Sequence, residues 1–203
     1  MKLSENIAEV FLSESGELTV AEVLARSEHR GFGFLLVILT MPVALPFTPP
    51  GISTPFAVLV GILACQMMAR RQQPWLPAWV MRKRVKTGDS RFLKAMEKWC
   101  RFFEKFLKPR MLWVYNRNIF TWFLGPLILL TAIVMALPFP ITNSASALAI
   151  FLIALGMLEE DGVMGIAGAL LSLAGIGFSI FIIAMLTIHG PEGMEIVKRS
   201  IGR

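Results

Sequence analysis

A chain of 203 residues that is 55% hydrophobic and 17% charged, with a mean hydropathy of +0.64, cannot hide its apolar side chains in one soluble core without leaving large patches in water. Lipid is the solvent this composition calls for. The net charge of +6 is sorted along the chain: all but six of the 20 Lys and Arg residues lie between Arg70 and Arg117, against Asp89, Glu97 and Glu104 alone. Between apolar segments such an excess reads as a cytoplasmic connection drawn to anionic headgroups, not as a nucleic-acid surface.

Met1 to Arg30 has no apolar h-region and carries six Glu, so it is not read as a secretory signal. Ser4 to Leu12 and Thr19 to Arg30 are predicted as short amphipathic helices. Thr19 and Glu22 have capping-box spacing, and Gly31 would close the second helix. Next come two apolar runs, Gly31 to Phe47 with Pro42 and Pro46 in it, and Pro55 to Ala69. At about 22 to 26 Å each they fall short of a hydrocarbon core roughly 30 Å thick, and so are expected to be tilted, flanked by snorkelling residues, or re-entrant.

Within the basic segment, Ser90 to Lys108 has the clearest helical periodicity. Phe92, Leu93, Met96, Trp99, Cys100, Phe103, Phe106 and Leu107 form one stripe opposite Lys94, Lys98, Arg101, Lys105 and Lys108, and Pro109 ends the helix. That pattern fits insertion in the membrane interface through Trp99 and Phe103, or packing on the protein's own cytoplasmic surface. Trp75, Trp79, Trp113, Tyr115 and Trp122 lie near expected membrane edges, where aromatic anchors gather.

The second half repeats the design. Ile119 to Phe139 is long enough to span, Ser144 to Leu158 is short, and Gly162 to Ile188 is a long apolar helix. Gly168, Ser172 and Gly175 give that helix a small-residue face, suited to close packing within one subunit or to a homodimer seam. Ala-Leu-Pro-Phe occurs at 44–47 and again at 136–139, each time before a short polar turn and a second apolar run. The fold class expected is therefore an all-α integral membrane protein of two related halves, 31–70 and 119–159. Each half holds a proline-broken, re-entrant or spanning hairpin, and the basic linker 71–118 joins them.

The chemistry the chain can carry is sparse. His29 and His189 are its only histidines, and Cys65 and Cys100 have no metal spacing and read as packing residues. Glu159, Glu160 and Asp161 form the one acidic cluster, read as complementing the positive end of the helix that starts at Gly162. No catalytic residue, metal or cofactor is expected. The hairpin turns are the better candidates for binding: Thr48, Ser53 and Thr54 in the first, and Thr142, Asn143 and Ser144 in the second, with Ser146 nearby. Thr54-Pro55 reads as N-cap and first helical residue, and Asn143 or Ser144 as the matching cap. Two readings stand open. The turns either lie at a water interface, or dip in as broken helices that face each other, in an inverted arrangement, around a polar site.

Leu-Pro-Phe-Thr-Pro-Pro-Gly (Leu45 to Gly51, with Pro46, Pro49 and Pro50), Gln-Pro-Trp-Leu-Pro (Gln73 to Pro77), Pro109-Arg110, Leu-Pro-Phe-Pro (Leu137 to Pro140, with Pro138) followed by Thr142-Asn143, and Ala-Leu-Gly-Met-Leu-Glu-Glu-Asp-Gly (Ala154 to Gly162, with Asp161) occur in that order. This ordered set resembles the exopolysaccharide synthesis ExoD family of bacterial membrane proteins over roughly Val20 to Ile188. The chain departs from the family pattern at Ala147, where a proline is usual, and at Glu160, where an arginine is. The resemblance implies an inner-membrane, multi-pass protein tied to the exopolysaccharide machinery. The role expected is that of a scaffold or accessory component, with transport of an ion, polar headgroup or lipid-linked substrate through the hairpin turns as the alternative.

Overall fold

The computed structural model describes residues 17–19, 31–44, 53–71, 73–78, 84–86, 120–137 and 140–189. The helices expected over 4–12 and 90–108 and most of 19–30 lie outside these residues. So do Thr48, Pro46, Pro49, Pro50, Gly51, Pro138, Trp79, Trp99, Cys100, Phe103, Trp113 and Tyr115. Five helices carry the fold: α1 (Gly31–Ala44), α2 (Ser53–Met68), α3 (Gly125–Ala136), α4 (Pro140–Glu159) and α5 (Gly162–His189). A short antiparallel pair, β1 (Glu17–Thr19) with β2 (Arg84–Lys86), ties the N-terminal segment to the basic linker in the register Glu17↔Lys86. An all-helical reading of the sequence leaves this pair out.

Prolines set the helix boundaries. Pro42 sits inside α1, where its missing N–H leaves the Ile38 carbonyl without the usual helical donor. Pro126 occupies the first turn of α3, and the five residues before it, Phe120–Leu124, form a wider π turn that leads the chain in. Pro140 opens α4, three residues before the Asn143 cap that the sequence suggests, because a proline at the first helical position gives up an N–H that has no intrahelical partner anyway. Asn143 thereby lies in the first turn of α4 and not ahead of it. α2 begins at Ser53, so Thr54 falls inside that helix as well.

Both α2 and α4 end in the same device. Arg70 (φ 55°) and Glu160 (φ 57°) take the left-handed conformation that usually calls for glycine. After α2, Arg71 N–H donates to the Gln66 carbonyl (3.1 Å) and Arg70 N–H to that of Met67 (3.0 Å). After α4, Asp161 N–H donates to the Gly156 carbonyl (2.9 Å). Asp161 then turns the chain into α5: its buried Oδ1 accepts from the backbone N–H of Val163 (3.0 Å) and Met164 (3.3 Å). These donors are among the orphans at any helix start, and a carboxylate also complements the positive end of the helix.

The helices of each hairpin pack more on the other hairpin than on each other. α1 lies chiefly against α4, α2 against α3, and α5 covers the other side of α4. The core is aliphatic, with Leu36, Val37, Val60, Leu63, Ile128, Met135, Ile150, Ile153 and Leu155 fully buried and Phe151 nearly so. Large apolar side chains are also exposed: Leu170, Ile180 and Ile188 of α5 are 63%, 61% and 73% exposed. Leu130, Ile133 and Val58 face outward on α3 and α2. Cys65, expected to be a packing residue, is exposed on α2. Among the described residues one helix is long and apolar enough to cross a membrane, over Gly162–Met185, and the run 119–139, expected to be long enough to span, yields only a shorter apolar helix over Trp122–Ala136.

Candidate polar site at the hairpin junction

Helix directions follow from three contacts. A methyl group on Gly33, near the start of α1, would meet Leu158 near the end of α4 at 3.0 Å. One on Gly61 in α2 would meet Leu129 in α3 at 3.7 Å. At the opposite end Asn143 Nδ2 donates to Ser53 Oγ at 2.9 Å, across 90 residues of sequence. Helix α1 therefore runs antiparallel to α4, and α2 antiparallel to α3, so both hairpins turn at the same end of the bundle. This corrects the inverted arrangement. The hairpins do meet, but side by side and pointing the same way.

The meeting point is buried and uncharged. Ser53 and Asn143 are 5% and 8% exposed, and Ser146, Ser172 and Ser179 are essentially inaccessible. Thr54, by contrast, is exposed and Ser144 half-buried, while the side chains of Thr142 and Pro140 are outside the described set. Of the expected binding residues the structure thus brings Ser53 and Asn143 together. Ser172, which the sequence offers only as one small residue on a helix face, is fully buried on α5.

Helix α5 packs along α4 because its glycines let it approach. A Cβ on Gly168 would stand 2.7 Å from the Ala149 carbonyl oxygen and 2.8 Å from Ile153, so only glycine fits. Gly175, two turns on, faces Ser146, whose Oγ would lie 3.8 Å from an added methyl. Three buried hydroxyls elsewhere donate to the carbonyl one turn back: Thr40 to Leu36 (2.7 Å), Thr131 to Leu127 (2.7 Å) and Ser179 to Gly175 (2.9 Å). Ser146 Oγ and Ser172 Oγ do not, and with Asn143 Oδ1 they are left without a hydrogen-bond partner. Such groups are costly in a dry interior, at about 1–3 kcal/mol each.

The opposite end of the bundle is built differently. Gln66, buried in the last turn of α2, pairs with one residue of the segment that leaves the helix: its Nε2 donates to the Trp75 carbonyl and its Oε1 accepts from the Trp75 N–H, both at 2.6 Å. The pairing fixes the 73–77 segment, burying Leu76 and leaving Trp75 56% exposed; Arg71, just after α2, is exposed as well. A lone amide in an apolar run is the sequence signal for this clamp.

Known proteins agree with the sequence pattern. The family model described as "Exopolysaccharide synthesis, ExoD" matches residues 3–181. An uncharacterized protein of Synechocystis sp. (slr1875) is 34% identical over 199 residues, covering 97% of this chain and 92% of its own length. Protein ExoD of Rhizobium meliloti is 25% identical over 200 residues, covering 95% of this chain and 82% of its own. No solved structure matches. With a family model spanning nearly the whole chain and a full-length relative above 30% identity, the chain belongs to the ExoD family.

Proposed function

We propose that this chain is a non-enzymatic, multi-pass protein of the bacterial inner membrane that serves exopolysaccharide production or envelope homeostasis as a scaffold or accessory binding component. The observation that carries the reading is the family match over 3–181, joined to a helical bundle that turns large apolar side chains such as Leu170, Ile180 and Ile188 outward. Lipid favours such an outside and water does not. The basic linker 70–117 then faces the cytoplasm, with exposed Trp75 and Arg71 where anionic headgroups begin.

The bundle also supports two related halves arranged as a parallel repeat. Ser53 and Asn143, 90 residues apart, each stand in the first turn of their helix, and Arg70 and Glu160, at the same separation, close those helices with the same left-handed turn. In this reading the touching Ser53 and Asn143 stand near a two-fold axis between the halves. Re-entrance fits the same geometry. The Gly175–Ser146 contact sets Asn143 near the level of residue 178 of α5, so α5 runs on past the junction by about 16 Å at 1.5 Å per residue. The connections 45–52 and 137–139 hold four prolines and no charge, which reduces the N–H groups that lipid would leave unsatisfied.

The test is restoration of exopolysaccharide output in a bacterium lacking its own ExoD protein. The scaffold reading expects Phe103→Glu, which places a charge on the apolar face of the linker helix, to abolish restoration while Asn143→Leu leaves it. Transport through the hairpins expects the reverse, and is favoured by the buried Ser53–Asn143 junction. No restoration by the unaltered chain would sink both. Orientation is checked separately with Lys86→Cys, which should resist impermeant thiol reagent in intact spheroplasts and react once they are opened.

A further inference from the structure

We infer that the N-terminal segment is an acidic strap that holds the basic linker through the β1–β2 pair and gives it up to anionic lipid. The inference rests on the reading that the linker meets the headgroups and not on any role in exopolysaccharide production. Three observations carry it. The pair joins the two most unlike parts of the chain: residues 1–30 hold six Glu against Lys2, Arg26 and Arg30, whereas 70–117 holds 14 Lys and Arg against Asp89, Glu97 and Glu104. Its register sets Glu17 opposite Lys86, and opposite charges at facing positions favour a strand pair. Both strands also hang from one end of the bundle, since residues 20–30 lead from β1 to the start of α1 and residues 69–83 from the end of α2 to β2, and those helix ends lie away from the Ser53–Asn143 junction. The N-terminal segment therefore shares the linker's side of the membrane, where anionic headgroups compete for the same cations.

Such a strap lets go easily. Each strand is three residues long, and a lone two-stranded ribbon is marginal in water even when longer. What holds the pair beyond its few backbone bonds is attraction between unlike charges, which an anionic bilayer offers at higher density. The linker is tethered between apolar helices, so the bilayer is the polyanion it meets first. That surface also repels the freed segment, whose acids outnumber its bases. Lipid charge thus pulls on the linker and pushes on the strap at once.

The experiment follows amide hydrogen exchange of the full chain in nanodiscs of phosphatidylcholine, and in discs where about a third of the lipid is phosphatidylglycerol. The Glu17–Thr19 amides should be protected in the neutral discs and exchange about fivefold faster in the anionic ones, the worth of one basic group at an anionic surface. An anionic surface gathers protons and by itself slows exchange, so the expected sign is opposite to that side effect. Raising salt from about 0.1 to about 1 M, where the screening length falls to about 3 Å, should shrink the difference. A chain lacking Cys65 and Cys100 and locked by a Glu17→Cys/Lys86→Cys disulfide, which facing strand positions allow, should exchange alike in both discs. Equal or slower exchange at 17–19 in the anionic discs, no protection in either, or a difference that survives salt or the lock overturns the inference. If the locked chain fails to fold, the unaltered chain and its salt dependence decide. The amides of 90–108 separate this from the reading beneath it. Lipid-dependent protection there without a change at 17–19 keeps the linker at the headgroups and removes the strap, whereas indifference at both removes the two together. Nanodiscs have no inside or outside, so neither a reversed orientation in the cell nor failure of the complementation test alters these outcomes.

Discussion

Helices α2 and α4 start at one junction, run the same way and end in the same left-handed turn, yet they live in different surroundings. Helix α4 is enclosed, with Ala149, Ile150, Phe151, Ile153, Ala154 and Leu155 all buried between α1 and α5. Helix α2 packs chiefly on α3 and less on α1, and turns Val58, Cys65 and Met68 outward. The difference is α5, which has no counterpart on the first half among the described residues. A local sequence thus determines how a helix begins and ends, and a distant element determines how much of it is core.

The enclosure of α4 is the sharpest target. Gly168→Leu should cost about 3 kcal/mol or more, enough to prevent folding, because backbone atoms of Ala149 and Ile153 block the new side chain and cannot rotate away. Gly177→Ala on the same helix, with nothing within 4 Å of the added methyl, should be neutral or slightly stabilising. Equal midpoints for the two variants in a thermal melt would show that α5 does not lie against α4.

The junction shared by α2 and α4 is probed next. Asn143→Leu removes the donor to Ser53 and should cost about 1–2 kcal/mol, while a double cycle with Ser53→Ala should show coupling of roughly 1 kcal/mol. Ser53→Cys with Asn143→Cys, in a chain lacking Cys65 and Cys100, should join on mild oxidation or through a short bifunctional thiol reagent. Independent costs and no joining would separate the two hairpins.

The ends of α2 and α4 give smaller effects. Gln66→Leu strips both partners from the Trp75 peptide groups and should cost about 1 kcal/mol, read as faster hydrogen exchange confined to 73–77. Arg70→Gly and Glu160→Gly each relieve a left-handed backbone and should gain under about 1 kcal/mol. Gains of similar size would strengthen the match between the two helices, and gains of opposite sign would break it.

Much of this architecture is legible in one dimension. Apolar runs bounded by prolines and polar turns mark out all five helices, and the length of α5 follows from an unbroken apolar stretch. The start of α4 is not legible in the same way, because Thr142, Asn143 and Ser144 look like a turn and only a facing helix reveals that Asn143 is interior. Left-handed turns at Arg70 and Glu160 carry no glycine to announce them. The outward Cys65 and the inward Ser172 are equally unreadable, since an apolar helix lacks the polar face that would tell its inside from its outside. The three-residue β pair is too short to show alternation.

The Gln66 clamp also bears on how the chain assembles. Its two bonds join residues only nine apart, so the first hairpin can seal its own exit as soon as residue 75 has been made. The Ser53–Asn143 bond spans 90 residues and must wait for the second hairpin. The clamp is therefore a local device and the junction a non-local one: a chain cut after the first hairpin keeps both partners of the clamp but leaves Ser53 without Asn143.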